Sequence, residues 1–144
     1  MEPPAVQRLE HANLSVQDAA IITQFLQTAF PTFRVRGQGQ DAYGRPWCHV
    51  GDDDFYVALT TLGSGTMRTP YGRTPGLNHL GWEVDDIDAL RQRMEARGFK
   101  HNLLITDHPA RQRIYYHDPE GNDWEFVQYK TTDPAQRNDY SDVA

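Results

Sequence analysis

Two histidines and one glutamate have the residue types and the spacing that a metal site requires. His11 and His79 occupy matching positions in two similar segments, RLEHANLSV and GLNHLGWEV, and Glu125 lies in the segment DWEFVQY. Because alternate residues of a strand point to opposite faces, the apolar residues of each segment take one face and these three side chains take the other. Two imidazoles and one carboxylate form a ligand set for a divalent ion. We therefore predict a metal site formed by His11, His79 and Glu125.

Each of the three residues also has an ordinary structural explanation. A single histidine in a strand is more often a hydrogen-bonded core residue than a metal ligand, and a strand glutamate usually faces water. Two observations favour the metal site. The two histidines are related by a repeat, and the apolar neighbours of Glu125 place its carboxylate where an unpaired charge is costly, a cost that a cation offsets.

The elements that position these residues repeat along the chain. Each half has the pattern of a strand, an aspartate N-cap, a helix and three further strands. The repeated positions are Leu9, His11, Val16 and Asp18 in the first half and Leu77, His79, Val84 and Asp86 in the second. The helices are predicted over residues 19–30 and 87–97. The later strands are predicted over residues 33–37, 45–50, 55–61, 99–106, 111–117 and 123–130.

This order of elements predicts an α+β protein made of two tandem βαβββ modules that form an open, curved sheet cup. Module one covers about residues 8–62 and module two about residues 77–130. A linker over residues 63–76, which contains Gly and Pro, joins the modules, and a polar tail over residues 131–144 follows them. Helical spacing predicts a buried face in each helix. The residues of these faces are Ile22, Phe25, Leu26 and Ala29, and then Ile87, Leu90 and Met94.

The totals exclude several classes of function. A chain of 144 residues with 38% hydrophobic and 24% charged residues has an ordinary globular composition and is long enough to bury a core. The net charge of −6 argues against a nucleic-acid partner, and no apolar run has the length of a membrane span. With one cysteine and no leader-like start, we expect a cytoplasmic protein. Open sheet edges further predict a homodimer.

The strand-opening segments LEHANLSV and LNHLGWEV, with the closing segment YYHDPEGNDWEFVQY, resemble the paired modules of the vicinal oxygen chelate superfamily of glyoxalases, bleomycin resistance proteins and extradiol dioxygenases. The resemblance implies metal ligands on the first and last strands of each module, which carries over here to His11, His79 and Glu125. The fourth such position is Ala58, which cannot bind a metal. The resemblance thus implies a divalent ion, Fe(II), Mn(II) or Zn(II), with three protein ligands and open positions for a small-molecule substrate.

Further residues are candidates for contacts with that substrate. Tyr115 resembles the family's substrate-contacting tyrosine, and His108 lies in a loop from which it would overhang the mouth of the cup as an acid or base. Their ordinary explanations are a packed strand aromatic and a solvated loop histidine. The candidates for lining the pocket are Tyr56, Ala58, Thr60 and Cys48. Strand alternation allows either Cys48 or His49 to face the pocket, but not both.

The resemblance leaves four functions open. The two-histidine, one-carboxylate set suits an Fe(II) extradiol-type dioxygenase, and a three-ligand glyoxalase-like lyase or isomerase is the second interpretation. A fosfomycin-type thiol transferase with Mn(II) is less favoured, because the sixth strand around Leu104 and Ile105 lacks cationic residues for a phosphonate. Arg34 and Arg36 either hold an anionic substrate or face solvent. The non-enzymatic alternative is a metal-free protein that sequesters a drug or metabolite.

Overall fold

The computed structural model describes residues 7–63, 65 and 69–141. The chain divides into two compact units, unit 1 over residues 1–65 and unit 2 over residues 66–144. The predicted linker falls at this division, and its residues 64 and 66–68 lie outside the described ones. Among the described residues, no helix is long and apolar enough to cross a membrane.

In its described residues, 7–63 and 65, unit 1 contains one helix and one four-stranded sheet. Its elements are β1 (His11–Val16), α1 (Ala19–Ala29), β2 (Arg34–Gln40), β3 (Pro46–Gly51) and β4 (Tyr56–Thr61). The strand order is β1-β4-β3-β2, with β1 parallel to β4 and the other neighbours antiparallel. The parallel pair requires a crossover, and α1 begins that crossover and packs against β3 and β4.

Unit 2 repeats this arrangement and adds a short helix. Its elements are β5 (His79–Glu83), α2 (Ile87–Ala96), β6 (Leu103–Ile105), β7 (Arg111–His117), β8 (Asp123–Tyr129) and α3 (Pro134–Arg137). The strand order is β5-β8-β7-β6, with β5 parallel to β8 and the other neighbours antiparallel. The predicted fold class, α+β with two βαβββ modules, is confirmed.

The two sheets share their strand register as well as their strand order. In unit 1, Asn13 of β1 pairs with Ala58 of β4. In unit 2, Gly81 of β5 pairs with Glu125 of β8. Ala58 and Glu125 are therefore equivalent positions, each two pairs further along the sheet than the repeated histidine of its unit.

Both helices begin at the predicted aspartates. The Asp18 carboxylate accepts from the backbone N–H of Ala20, 3.0 Å away, and the Asp86 carboxylate accepts from Ala89 at 3.0 Å. These contacts satisfy donors that a helix N-terminus leaves without partners. All seven side chains predicted to face the core are buried, and the burial of each one larger than Ala29 contributes about 1.5–3 kcal/mol. They cover one face of each sheet and leave the other face for polar side chains.

Two strand predictions differ from the structure. Strand β6 is shorter than predicted, because the α2 turn continues past Gly98, whose φ is 83°, and the Phe99 N–H bonds the Met94 carbonyl at 2.9 Å. Strand β2 is longer than predicted and reaches Gln40. The tail also contains α3, whose first turn is capped by the Asp133 carboxylate at 3.0 Å from the Ala135 N–H.

Candidate functional site

The unit-2 face is the side of its sheet opposite α2, and its central contact joins two of the predicted metal ligands. His79 Nε2 lies 2.9 Å from Glu125 Oε2. The two residues are on neighbouring strands, β5 and β8, and Gly81, which pairs with Glu125, has no side chain beside the carboxylate. Arg113, Tyr115 and Asp123 lie on the same face. The structure thus brings two of the three predicted ligands together within one unit.

Glu125 lies in a nearly closed polar environment. Its side chain is 12% exposed, and Arg113 Nη1 lies 3.9 Å from its other oxygen. The hydroxyl of Tyr115, the residue paired with Glu125 on β7, also hydrogen-bonds to it. Burial raises the pKa of Tyr115, and the Glu125 charge raises it further. Tyr115 therefore keeps its proton at neutral pH and acts there as a hydrogen-bond donor.

The second ring nitrogen of His79 also has partners. The Asn78 side-chain amide lies 3.2 Å from Nδ1, and the Tyr71 hydroxyl lies 3.3 Å from it. The Asn78 carbonyl oxygen accepts from the Tyr71 backbone N–H, so the amide NH₂ is the group that faces His79. With Nδ1 accepting, the proton of neutral His79 is on Nε2 and is donated to Glu125. A cation that replaced this proton would find an imidazole nitrogen and a carboxylate oxygen already facing each other.

Asp123 is the side chain of this face whose need for hydrogen-bond partners is met least by the described residues. Its side chain is 1% exposed, and within the described part of the chain neither carboxylate oxygen has a hydrogen-bond partner. It pairs with His79 across the strands, and His117 Nε2 lies 3.6 Å from it. Burial raises the pKa of Asp123. A buried carboxylate without hydrogen bonds is costly, and a nearby cation would reduce that cost, so the donor set fits a divalent metal.

His11, the third predicted ligand, belongs to unit 1. Its Nδ1 lies 2.9 Å from a carboxylate oxygen of Glu10, and this hydrogen bond lowers the pKa of Glu10. A carboxylate on one ring nitrogen selects the tautomer that leaves the other nitrogen for a metal. Among the described residues, no group of three or more His, Cys, Asp or Glu side chains is placed to hold a metal ion. The three-ligand site therefore stays a prediction.

The unit-1 face, the side of its sheet opposite α1, contains a cavity of about 450 Å³. Its lining residues are Asn13, Ser15, Asp41, Arg45, Trp47, His49, Ala58, Thr60 and Leu62. Ala58 and Thr60 thus lie where the sequence placed them, on the wall of a pocket. Tyr56 shares their face and stacks on His11 with ring centroids 4.8 Å apart.

The structure corrects the placement of Cys48. Cys48 pairs with Leu59, so it lies on the face that packs against α1, where Thr23 is its hydrogen-bond partner. Burial raises the pKa of its thiol, which keeps the thiol protonated and unreactive. Of the two alternatives that strand alternation allowed, His49 is the one beside Ala58 and Thr60.

The structure also corrects the placement of His108. The side chain is 3% exposed rather than solvated, and both of its ring nitrogens have partners. Nδ1 accepts from the Ala110 N–H at 3.0 Å, and Nε2 donates to the Asp139 carbonyl of the tail at 3.0 Å. Next to it, the buried Arg111 donates to the carbonyls of Arg137, at 3.2 Å, and Asp139, at 2.9 Å. His108 therefore holds the tail on unit 2 and does not overhang a pocket.

The two strand arginines have partners within unit 1. Arg34 forms an ion pair with Asp53. Arg36 donates to the Asp52 carbonyl at 3.0 Å, and its guanidinium lies 4.4 Å from the centre of the Tyr56 ring. Neither arginine lines the cavity.

Several site residues were missed by the sequence analysis, although strand alternation contained the signal for some of them. Arg113 and Asp123 lie two residues before Tyr115 and Glu125 and therefore share their face. Asn13 lies two residues after His11 in the same way. Tyr71 had no such signal, because it reaches His79 from a loop.

Comparison with known proteins identifies related sequences. Residues 8–126 match the family described as the Glyoxalase/Bleomycin resistance protein/Dioxygenase superfamily. A protein of Bacillus subtilis (strain 168), named a probable trivalent organoarsenical cleaving enzyme, is 26% identical over 113 residues, which are 61% of this chain and 77% of that protein.

Solved structures share the fold. A glyoxylase/bleomycin resistance protein/dioxygenase domain from Frankia sp. EAN1pec has a TM-score of 0.74 at 16% identity, with 90% of this chain and 96% of that chain covered. The fosfomycin resistance protein FosX from Listeria monocytogenes, solved with Mn(II) and sulfate, has a TM-score of 0.67 at 18% identity, with 92% and 98% covered. At these identities the likeness establishes the fold alone.

Proposed function

From the premise that this chain belongs to the glyoxalase/bleomycin resistance protein/dioxygenase superfamily, we propose that it is a metal-dependent enzyme acting on a small, oxygen-rich molecule. The metal is a divalent ion, Fe(II), Mn(II) or Zn(II), bound by His79 and Glu125, with His11 as the third ligand that the sequence repeat predicts. The observation that carries the proposal is the 2.9 Å contact between His79 and Glu125 beside the buried carboxylate of Asp123.

The residues around this contact have distinct roles in the proposed site. A divalent ion supplies a Lewis acid that polarises oxygens of the substrate. Tyr115 keeps its proton and provides a hydrogen-bond donor next to Glu125. Arg113, 3.9 Å from Glu125, adds a positive charge that favours an anionic or polarised oxygen. Ala58 provides no fourth ligand, so a position remains for substrate or water.

The reaction type is dioxygenase-like or lyase-like. Both classes cleave a bond in the substrate and suit two histidines and one carboxylate with open positions. The name of the Bacillus subtilis relative, a cleaving enzyme, supports a bond-breaking reaction over the transfer of a thiol. The FosX neighbours, at under 25% identity, support the fold and give no weight to the transferase.

Metal titration of two matched variants tests the proposal. Calorimetry with Mn(II), Zn(II) and, without oxygen, Fe(II) should show one site in the wild type and a loss of affinity of about 100-fold or more in Glu125→Gln, because the amide keeps the shape and removes the charge. The control is Glu83→Gln. Glu83 is on the same sheet as Glu125, and its exposed carboxylate forms an ion pair with Arg137, so this substitution should leave the metal affinity unchanged. Equally poor uptake by the wild type and Glu125→Gln would refute the metal site.

The second candidate function is the sequestration of a drug or metabolite without metal. The cavity of about 450 Å³ on the unit-1 face favours it, because this cavity contains neither His79 nor Glu125. The titration above separates the two functions: binding of a small molecule by protein that takes up no metal supports sequestration.

We also propose that the protein is a homodimer. Each unit is an open sheet with two edge strands, and unpaired edge strands are commonly covered by association. Sedimentation equilibrium should give twice the mass of 16.5 kDa at micromolar concentrations, and a monomer mass throughout that range would refute the proposal.

A further inference from the structure

We infer that the cavity on the unit-1 face recognises a flat, neutral ring, so that the substrate belongs to the class of aromatic or heteroaromatic molecules with hydrogen-bonding groups. That this ring is part of the substrate rests on the proposed function. That the cavity takes such a ring rests on the walls of the cavity alone.

The first observation is a continuous series of ring contacts across three strands, two of them stacked and one tilted. Tyr56 lies between His11 and His49, with ring centroids 4.8 Å and 4.5 Å away and interplanar angles of 9° and 28°. His49 in turn contacts Trp47, with centroids 4.7 Å apart. The last two rings of this series, His49 and Trp47, are lining residues of the cavity. A further ring would extend the same series of stacking contacts.

The second observation is that the Trp47 indole is held flat before any ligand arrives. It lies over Gly37 and Gly39 of β2, and a Cβ added at Gly39 would be 3.2 Å from an indole carbon. Any larger residue at Gly39 would push the indole away from the strand. Glycine at this position therefore gives the cavity a preformed aromatic wall, which reduces the entropy lost on binding.

The third observation concerns the polar groups of the wall. Thr60 Oγ1 donates to Asn13 Oδ1 at 3.2 Å, which fixes the Asn13 amide with its NH₂ group as the remaining donor. The hydroxyl of Ser15, on the same strand face, adds a group that both donates and accepts. A ring with a carbonyl, amide or hydroxyl substituent would find partners here.

The fourth observation is the charge balance of the cavity. Its two charged lining residues, Asp41 and Arg45, form an ion pair with 2.6 Å between Oδ2 and Nε. Burial, with the nearby charges of Arg36 and His11, lowers the pKa of His49, which is therefore neutral at pH 7. The described lining residues thus offer no uncompensated charge to an ionic ligand and favour a neutral one.

Ala58 provides the space for the ring. It is 4% exposed and lies on the wall between His49 and Asn13, its partners on the two neighbouring strands. The equivalent position of unit 2 carries Glu125. A side chain of that size at position 58 would project into the volume that the rings enclose.

The test compares two amides that differ only in the flatness of their ring. Benzamide and cyclohexanecarboxamide are neutral, have the same polar group and do not chelate metals. Calorimetry on chelator-treated protein should give benzamide an affinity about 3- to 10-fold higher, the range that aromatic contacts contribute. Equal affinities, or no binding of benzamide at millimolar concentrations, would overturn the inference.

Two variants locate the effect. Trp47→Leu should remove the preference for benzamide, and Ala58→Leu, which fills the cavity without removing a ring, should weaken the binding of both amides. The control is Tyr43→Leu, because Tyr43 is 83% exposed and does not line the cavity. A preference that survives in a folded Trp47→Leu protein would refute the role of the wall. Circular dichroism establishes that each variant is folded.

The same measurement on Glu125→Gln separates this inference from the proposed function. Glu125 does not line the cavity, so the variant should retain the preference for benzamide even if it, or the wild type, takes up no metal. A wild type that takes up no metal but keeps the preference for benzamide would refute the metal site alone. Loss of the preference for benzamide in Glu125→Gln would show that binding in the cavity depends on Glu125, and would overturn the inference.

Discussion

The faces of the two sheets have the same strand order and the same register, yet their chemistry differs at nearly every equivalent position. Ala58 of unit 1 corresponds to Glu125 of unit 2, since each is the partner of the second residue after the repeated histidine. By the same register His49 corresponds to Tyr115. The backbone pattern of a repeat is therefore retained where the side chains that perform chemistry have diverged.

The difference divides the roles of the two units. The unit-1 face has aromatic rings around a cavity, whereas the unit-2 face has ionisable groups around two carboxylates, Glu125 and the buried Asp123. A cavity lined by rings suits the recognition of a ring, and paired ionic groups suit the binding of a cation. Each prediction below changes a residue of one unit and sets it against a comparison or control variant.

The largest expected effect concerns the turns before the last strand of each unit. The buried Asp118 accepts hydrogen bonds from the N–H groups of Glu120 and Asn122 and, at 3.0 Å, from the indole of Trp124. Asp118→Ala leaves this buried indole N–H without its acceptor and should lower the free energy of unfolding by about 3 kcal/mol. Urea denaturation at pH 7 measures the loss.

The comparison variant for that experiment is Asp52→Ala. Asp52 is half-buried, and its carboxylate accepts from the N–H groups of Asp54 and Phe55, each at 2.9 Å. Its removal should lower the free energy of unfolding by about 1 kcal/mol. Equal losses for the two variants would show that the burial of Asp118 adds nothing to the free energy of unfolding.

An intermediate effect is expected when unit 1 receives the carboxylate of unit 2. Ala58→Glu places a potential fourth ligand at the position equivalent to Glu125, so the affinity for Mn(II) or Zn(II) should rise about tenfold, or about 1.4 kcal/mol. The same side chain occupies the cavity and should abolish the binding of benzamide. Ala58→Gln, which has the same volume without the charge, should block benzamide without increasing the affinity for metal. Unchanged metal affinity in Ala58→Glu would contradict the predicted position of the metal.

The smallest effect is a pH dependence of stability that comes from His49. Its pKa in the folded protein is lowered below the usual 6.5, first by burial and then by the charges of Arg36 and His11. The unfolded chain therefore takes up this proton first, and the stability falls as the pH decreases from about 6.5 towards the lower folded value. In His49→Gln the stability should fall less over this pH range, by a difference in Tm on the order of a degree or two. His101→Gln is the control, and an identical pH profile for wild type and His49→Gln would contradict the prediction.

The parts of the fold that were predicted are those that depend on local sequence. The Asp18 cap and the buried faces of both helices follow from hydrogen bonds and spacing within a few residues, and they are confirmed. Strand alternation also correctly placed His79 and Glu125 on one face, because the apolar residues around each of them define the other face.

The parts that were not predicted depend on contacts distant in sequence. Strand β3 contains apolar residues at consecutive positions, so its pattern alone could not distinguish the faces of Cys48 and His49. His108 resembled a solvated loop residue because its partner, Asp139, comes from a tail with no periodic pattern. Tyr71 approaches His79 from a loop with a φ of 58°, a conformation that propensity does not predict.

The docked tail also bears on the order in which the chain folds as it leaves the ribosome. All the strands and the helix of unit 1 precede residue 65, so this unit can close while unit 2 is still being synthesised. In unit 2 the buried guanidinium of Arg111 donates to the carbonyls of Arg137 and Asp139, and these two bonds can form once both residues have emerged. At roughly 5–20 residues per second, unit 1 has a lead on the order of several seconds. The nascent chain therefore passes through a state in which the elements of unit 1 have all been synthesised while the tail segment that bonds Arg111 in unit 2 has not yet emerged.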